Sequence, residues 1–170
     1  DVYKRQGYDD GFNDILRNQL TSEVKQIVST INAFAALKED GSVVTWGALY
    51  EPTQKTATNL YPLSGELTSG VSQIFSTMGA FAALKEDGSV VTWGALSNGI
   101  PLSSELNSGV SQIFSNYSDF AALKEDGSVF TWGNGISGHS SGIELSSGVS
   151  KIFSTASAFA ALKEDGSVFT

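Results

Sequence analysis

Hydrophobic positions along the chain fall in short runs bounded by glycine, serine and aspartate, and the runs recur. Residues 34–47 read FAALKEDGSVVTWG; the same string occupies 81–94, returns with one change as FAALKEDGSVFTWG over 120–133, and begins again at Phe159. Upstream of each copy lies a V-x-x-I-(V/F)-S segment that opens at Val24, Val71, Val110 and Val149, and each is preceded by a leucine: Leu20, Leu67, Leu106 and Leu145. The steps are 47, 39 and 39 residues. Such a period belongs to helical arrays or to propeller blades, so the local pattern has to decide between them.

Ser-Val-(Val/Phe)-Thr-Trp-Gly is a β-branched and aromatic run too short for a helix. It follows Asp-Gly, which between apolar runs predicts a two-residue type I′ hairpin turn. Residues 34–39 are thereby paired with 42–46 around Asp40 and Gly41, and a further strand at 25–29 precedes them. A short helix over 33–40 is the rival, because Ala, Leu, Lys and Glu are good helix formers, but a helix of that length is marginal. Each unit is expected to be a three-stranded antiparallel meander, with room for a short fourth strand in the linker. The two-residue turn sets Leu37 opposite Val44 and Ala35 opposite Trp46 on one face, and turns Phe34, Ala36 and Val43 to the other. Both faces are apolar, which fits a blade covered on each side by a neighbour. One unit cannot bury enough surface to stand alone, and that is the physical reason for repetition. The expected fold is all-β, a partial β-propeller of about four antiparallel blades: units 20–66, 67–105, 106–144 and a truncated 145–170.

The string A-L-K-E-D-G-S-V-V-T-W-G resembles the blade signature of regulator-of-chromosome-condensation-type repeats over residues 7–170. The resemblance implies a seven-bladed propeller and a non-catalytic scaffold that binds a protein partner. The short period and three recognisable strands look more like the compact bacterial type, of which β-lactamase inhibitory protein II is an example. The Gly-Gln-Leu-Gly segment common after Trp-Gly in the eukaryotic members is missing: Gly47 and Gly94 lead into Ala-Leu, and Gly133 into Asn-Gly. That departure points away from nucleotide exchange and chromatin binding. Seven units of about 39 residues need about 270, so the chain is expected to be a piece of a longer reading frame. Residues 1–6, DVYKRQ, resemble a translated sequencing-adaptor tail and are set aside as an extraneous end.

Composition narrows the function classes. Ten basic against 18 acidic residues give a formal charge of −8, leaving no basic surplus to displace counterions from a phosphate backbone, so nucleic acid is a poor partner. Apolar stretches such as 33–37 are far short of the roughly 20 residues that cross a bilayer as a helix, and membrane insertion is not expected. There is no cysteine, hence neither a disulfide framework nor a thiolate metal site. The compartment stays open, with an extracellular or cell-surface location slightly favoured.

Candidate chemistry is sparse, and no cofactor is called for. The single histidine, His139, sits in a Gly/Ser-rich linker with nothing to pair with, which fits a solvated loop residue. The Glu-Asp pairs at 39–40, 86–87, 125–126 and 164–165 read as turn residues and not as a calcium ring, which needs several oxygen ligands at alternating positions. Trp46, Trp93 and Trp132 hold one place in every blade, as core residues do. No catalytic or metal-binding constellation emerges, and an enzyme is not expected.

Differences among the copies say more. In a meander the first turn and the segment after Trp-Gly emerge on one rim and the Asp-Gly turns on the other. The Asp-Gly rim hardly varies between copies. The first turns read Thr-Ile-Asn-Ala, Thr-Met-Gly-Ala, Asn-Tyr-Ser-Asp and Thr-Ala-Ser-Ala. Ile31, Asn32, Tyr50, Met78, Asn116, Tyr117, Asp119 and His139 are therefore the candidate binding residues for a protein partner of unknown identity. The alternative is a passive structural array within a large secreted or surface protein.

Overall fold

The computed structural model describes residues 18–21, 23–47, 65–95, 104–134 and 145–170. Among them are four three-stranded sheets, each an antiparallel meander in chain order. Blade 1 is β1 (Val24–Ser29), β2 (Ala33–Lys38) and β3 (Val43–Gly47). Blade 2 is β4 (Val71–Ser76), β5 (Ala80–Lys85) and β6 (Val90–Gly94); blade 3 is β7 (Val110–Ser115), β8 (Asp119–Lys124) and β9 (Val129–Gly133). Blade 4 is β10 (Val149–Ser154), β11 (Phe159–Lys163) and β12 (Val168–Phe169). The Phe-Ala-Ala-Leu-Lys run is a strand in every blade, so the short-helix rival falls. The linkers at 48–64, 96–103 and 135–144, where the sequence leaves room for a short fourth strand, and the end at 1–6 lie outside the described residues.

The hairpin after the second strand differs from the sequence expectation by one residue. Lys38 N–H donates to Ser42 C=O at 2.9 Å and Gly41 N–H to Lys38 C=O at 3.0 Å. The loop thus holds three residues, Glu39, Asp40 and Gly41, in a turn closed by a left-handed glycine with φ 76°. Only Gly41 needs positive φ; a type I′ turn would need it at Asp40 as well. The Asp40 carboxylate fixes this choice, because it accepts both Ser42 N–H at 2.9 Å and Ser42 Oγ–H at 2.6 Å. The same bonds recur at Asp87, Asp126 and Asp165.

A one-residue shift exchanges the faces of the paired strand. Leu37 stands opposite Val43, and Phe34 opposite Trp46. Leu37 and Trp46 therefore lie on opposite faces, not on one. The front face of blade 1 carries Val28, Ala33, Ala35, Leu37 and Val43, and the back face Ile27, Phe34, Ala36, Val44 and Trp46. This register lets Phe and Trp stack across the strands, with ring centroids 5.4, 5.3 and 5.2 Å apart in blades 1 to 3.

The core sits between blades. Front-face Ala33, Ala35 and Leu37 of blade 1 pack on back-face Ile74, Phe81, Ala83 and Trp93 of blade 2. Ala80, Ala82 and Leu84 of blade 2 meet Ile113, Phe120, Ala122 and Trp132 of blade 3 in the same way, and Ala121 and Leu123 of blade 3 meet Ile152 and Ala161 of blade 4. Small alanines on one side accept large aromatics from the other, which is how these faces reach close packing. The first strands of neighbouring blades approach one another. The fold is that of a β-propeller arc.

Candidate functional site

Each first turn is built by its opening residue. Thr30 N–H donates to Ala33 C=O at 2.9 Å, and Thr30 Oγ1 accepts Ala33 N–H at 3.0 Å. Thr77 and Thr155 do the same for Ala80 and Ala158, both at 3.1 Å. In blade 3 an asparagine takes over: Asn116 Oδ1 accepts Ser118 N–H at 2.9 Å and Asp119 N–H at 2.8 Å. Because side-chain oxygens hold these turns, the second turn residue is left free to point outward.

These second residues are tied together across blades. Ile31 N–H donates to Met78 C=O at 2.9 Å, Met78 N–H to Tyr117 C=O at 2.8 Å, and Tyr117 N–H to Ala156 C=O at 3.1 Å. The result is a row Ile31, Met78, Tyr117, Ala156 along one rim, each member on a different blade. Ile31 and Tyr117 are among the exposed large apolar side chains, and Met78 is half-buried. A second tie on this rim joins Asn134 Nδ2–H of blade 3 to Ala95 C=O of blade 2 at 2.8 Å.

The structure separates the eight sequence candidates. Ile31, Met78 and Tyr117 stand in the row, and exposed Asn32 sits beside Ile31. Asn116 is half-buried and spends its amide oxygen on the turn. Asp119 is buried, in the place that Ala33 and Ala80 take in blades 1 and 2, with Ser118 Oγ–H reaching its carboxylate at 3.4 Å. Tyr50 and His139 lie outside the described residues. Sequence reasoning left out Ala156, since alanine carries no chemical signal, and Asn134, whose reach to the next blade no local pattern announces.

The opposite rim is uniform. Asp40, Asp87, Asp126 and Asp165 are solvent-exposed, and each carboxyl is held below its ordinary value of 3.8, first by the serine hydroxyl and then by the serine N–H two residues on. Blade-to-blade bonds run here too: Val71, Val110 and Val149 N–H donate to Gly41, Gly88 and Gly127 C=O at 3.0, 3.0 and 2.9 Å. Among the described residues no three His, Asp or Glu side chains come together as metal ligands, and no helix is long and apolar enough to cross a membrane.

No protein-family model and no curated protein sequence matches the chain. Solved structures do. Yeast RCC1 (Prp20) bound to Kap60 matches with TM-score 0.58 at 18% identity, over 89% of this chain and 43% of that one. Prp20p from Saccharomyces cerevisiae, described with its binding to Gsp1p and histones, matches with TM-score 0.57 at 18% identity, over 89% and 44%. The CRINKLY WD40 ectodomain of the Arabidopsis thaliana receptor kinase ACR4 matches with TM-score 0.53 at 16% identity, over 86% and 54%. The chain spans about half or less of each, and at such identities the likeness is one of fold: four consecutive blades of an RCC1-like β-propeller.

Proposed function

We propose that this chain is a non-catalytic scaffold that binds a protein partner on the rim carrying Ile31, Asn32, Met78 and Tyr117. The observation that carries the reading is the row itself. Three large apolar side chains, different in each blade, are set along one edge by backbone bonds from a rigid sheet stack, and exposed aromatic and Met side chains in such places anchor partners. The yeast RCC1 structures add support, since that protein is described with Kap60, Gsp1p and histones as partners. Histones fit this chain poorly as a guide, because the partner here is to be recognised by apolar anchors. The bacterial type suggested by the short repeat belongs to this reading as its evolutionary setting.

The experiment is an affinity capture from a source lysate with three baits: the native chain, Ile31→Ala/Met78→Ala/Tyr117→Ala, and Glu86→Ala/Asp87→Ala. A protein identified by mass spectrometry with the first and third baits, and weakened at least tenfold with the second, is expected; each true anchor contributes about 1–2 kcal/mol. Capture that survives the triple change but fails with Glu86→Ala/Asp87→Ala moves the site to the other rim and overturns the reading.

A further inference from the structure

The first strand of each blade lies on the inner side of the arc, where neighbouring first strands come within 8 Å of one another, Cα to Cα. One edge of it pairs with the second strand, and the other edge faces the axis. In blade 2 the axial edge is engaged by a side chain of blade 1: Gln26 Nε2–H donates to Ile74 C=O at 2.7 Å, and Gln26 Oε1 accepts Ile74 N–H at 3.1 Å. One planar carboxamide thus satisfies a donor and an acceptor side by side. Both backbone groups of Ile74 therefore turn away from its cross-strand partner Ala83. Ile113 and Ile152 hold the same register, opposite Ala122 and Ala161, so their N–H and C=O face the axis as well. There the clasp is open. Gln73 and Gln112 take the place of Gln26 but are exposed, and each follows a bulge serine tied to the second strand, Ser72 Oγ–H to Leu84 C=O and Ser111 Oγ–H to Leu123 C=O, both at 2.9 Å. Ile74 is fully covered, whereas Ile113 and Ile152 keep 4% and 3% of their surface.

We propose that the axial edges of blades 3 and 4 hold two carboxamide side chains, glutamine or asparagine, of a polypeptide partner, each paired with the N–H and C=O of Ile113 or Ile152. Gln26 on Ile74 is the same contact made within the chain, and it defines the chemistry that the edge accepts. A carboxylate has no donor for the carbonyl, and an ammonium has no acceptor for the amide. A partner's main chain does not fit: an added strand needs about 4.8 Å on each side, more than the first strands leave between them, whereas a single carboxamide enters as Gln26 does. Two carboxamides two residues apart on an extended segment stand about 7 Å apart, which suits the step from one first strand to the next. Ile113 and Ile152 each face a preceding blade of the same chain, and the contact is separate from the turn rim, so either can fail while the other stands.

The test is nitrogen-15 NMR on the 170-residue chain, following the backbone amides of Ile74, Ile113 and Ile152 while the peptide acetyl-Gly-Gln-Ser-Gln-Gly-amide is added to about 10 mM, a range suited to a ligand held by a few hydrogen bonds. Saturating shifts at Ile113 and Ile152 are expected, with Ile74 unmoved. The counterpart peptide with glutamate in place of both glutamines should bind at least tenfold more weakly. Gln26→Ala should open the third edge: hydrogen exchange at the Ile74 amide speeds up at least tenfold, and its signal joins the two that respond. The titration of the native chain decides whether or not this variant folds. No response at Ile113 and Ile152, or an equal response to the glutamate peptide, overturns the proposal. So does native exchange as slow at Ile113 and Ile152 as at Ile74 and released by Gln73→Ala/Gln112→Ala, because the chain's own glutamines would then fill the site.

Discussion

Phe34, Phe81 and Phe120 are one residue at one place in three blades, and they differ chiefly in what covers them. Truncating each to alanine separates stacking between blades from the residue's own strand context. For Phe81, with no surface in contact with solvent and the Trp93 ring 5.3 Å away, the loss comprises the transfer free energy of the ring and the cavity it leaves, about 3–5 kcal/mol together. Phe120 sits in the same environment, its ring 5.2 Å from Trp132, and should cost the same. Phe34 is already 42% exposed. It forfeits a little over half of the transfer contribution and leaves a dent that water fills, so about 1–1.5 kcal/mol is expected. Because domains of this size hold only about 5–15 kcal/mol, Phe81→Ala removes a large share of the total and Phe34→Ala a small one.

The assay is urea unfolding followed by tryptophan fluorescence and by circular dichroism, with the m-values compared before the free energies are. The expected order is Phe81 equal to Phe120 and both at least about 1.5 kcal/mol above Phe34. Equal costs at all three positions would show that the ring contributes within its own blade only, and the account of cores lying between blades would be wrong.

Three further outcomes follow from local geometry. Glu23 is the one non-glycine among the described residues with positive φ, 63°, at the place held by Gly70, Gly109 and Gly148; Glu23→Gly should raise stability by about 0.5–1 kcal/mol in urea unfolding despite glycine's entropy cost, and a loss would refute the strain. Gly127→Ala combines a left-handed φ of 77° with a Cβ 2.7 Å from Gly148 N, whereas Gly166→Ala meets only the φ penalty. About 3–4 kcal/mol is expected for the first and about 1–2 for the second, and equal costs would remove the close approach from the explanation. Ser89→Ala deletes the hydroxyl bonded to Asp87, so in a carboxyl NMR titration Asp87 should move up towards 3.8 while Asp126 stays in place. The sign follows from linkage: a depressed carboxyl contributes stability that is complete above 3.8 and is lost as pH falls through the folded value. Ser89→Ala should therefore flatten that acid-range loss, and an unmoved Asp87 would contradict the assignment.

Legibility in the sequence depended on whether a feature was local. The strands, their order and the stacking of two-faced sheets follow from period, β-branched runs and apolar content on both faces, all of which a single repeat displays. The register did not follow. Asp-Gly is shared by two-residue and three-residue hairpins, and the choice rests on Ser42 offering two donors to Asp40. One bond pattern at one turn then moved Trp46 to the other face from Leu37. Asp119 was similarly opaque, since a polar residue in a turn reads as exposed, whereas it is buried in the strand position that Ala33 and Ala80 fill in blades 1 and 2.

The two rims differ in variability for a reason that lies in which atoms do the joining. On the Asp-Gly rim the carbonyls of Gly41, Gly88 and Gly127 meet the next blade so closely that a Cβ would strike its backbone. Side-chain identity there is fixed by the stack, and its constancy says nothing about ligands. On the turn rim the joining atoms are amides and carbonyls at 31, 78, 117 and 156, with the side chains of Ile31, Tyr117 and Ala156 exposed and that of Met78 half-buried. Isoleucine, methionine, tyrosine and alanine satisfy the stack equally well, so the fold places no constraint on them. A propeller built this way separates its stability from its specificity along the length of each strand: one end holds the blades together at a glycine, and the other offers one freely chosen side chain per blade.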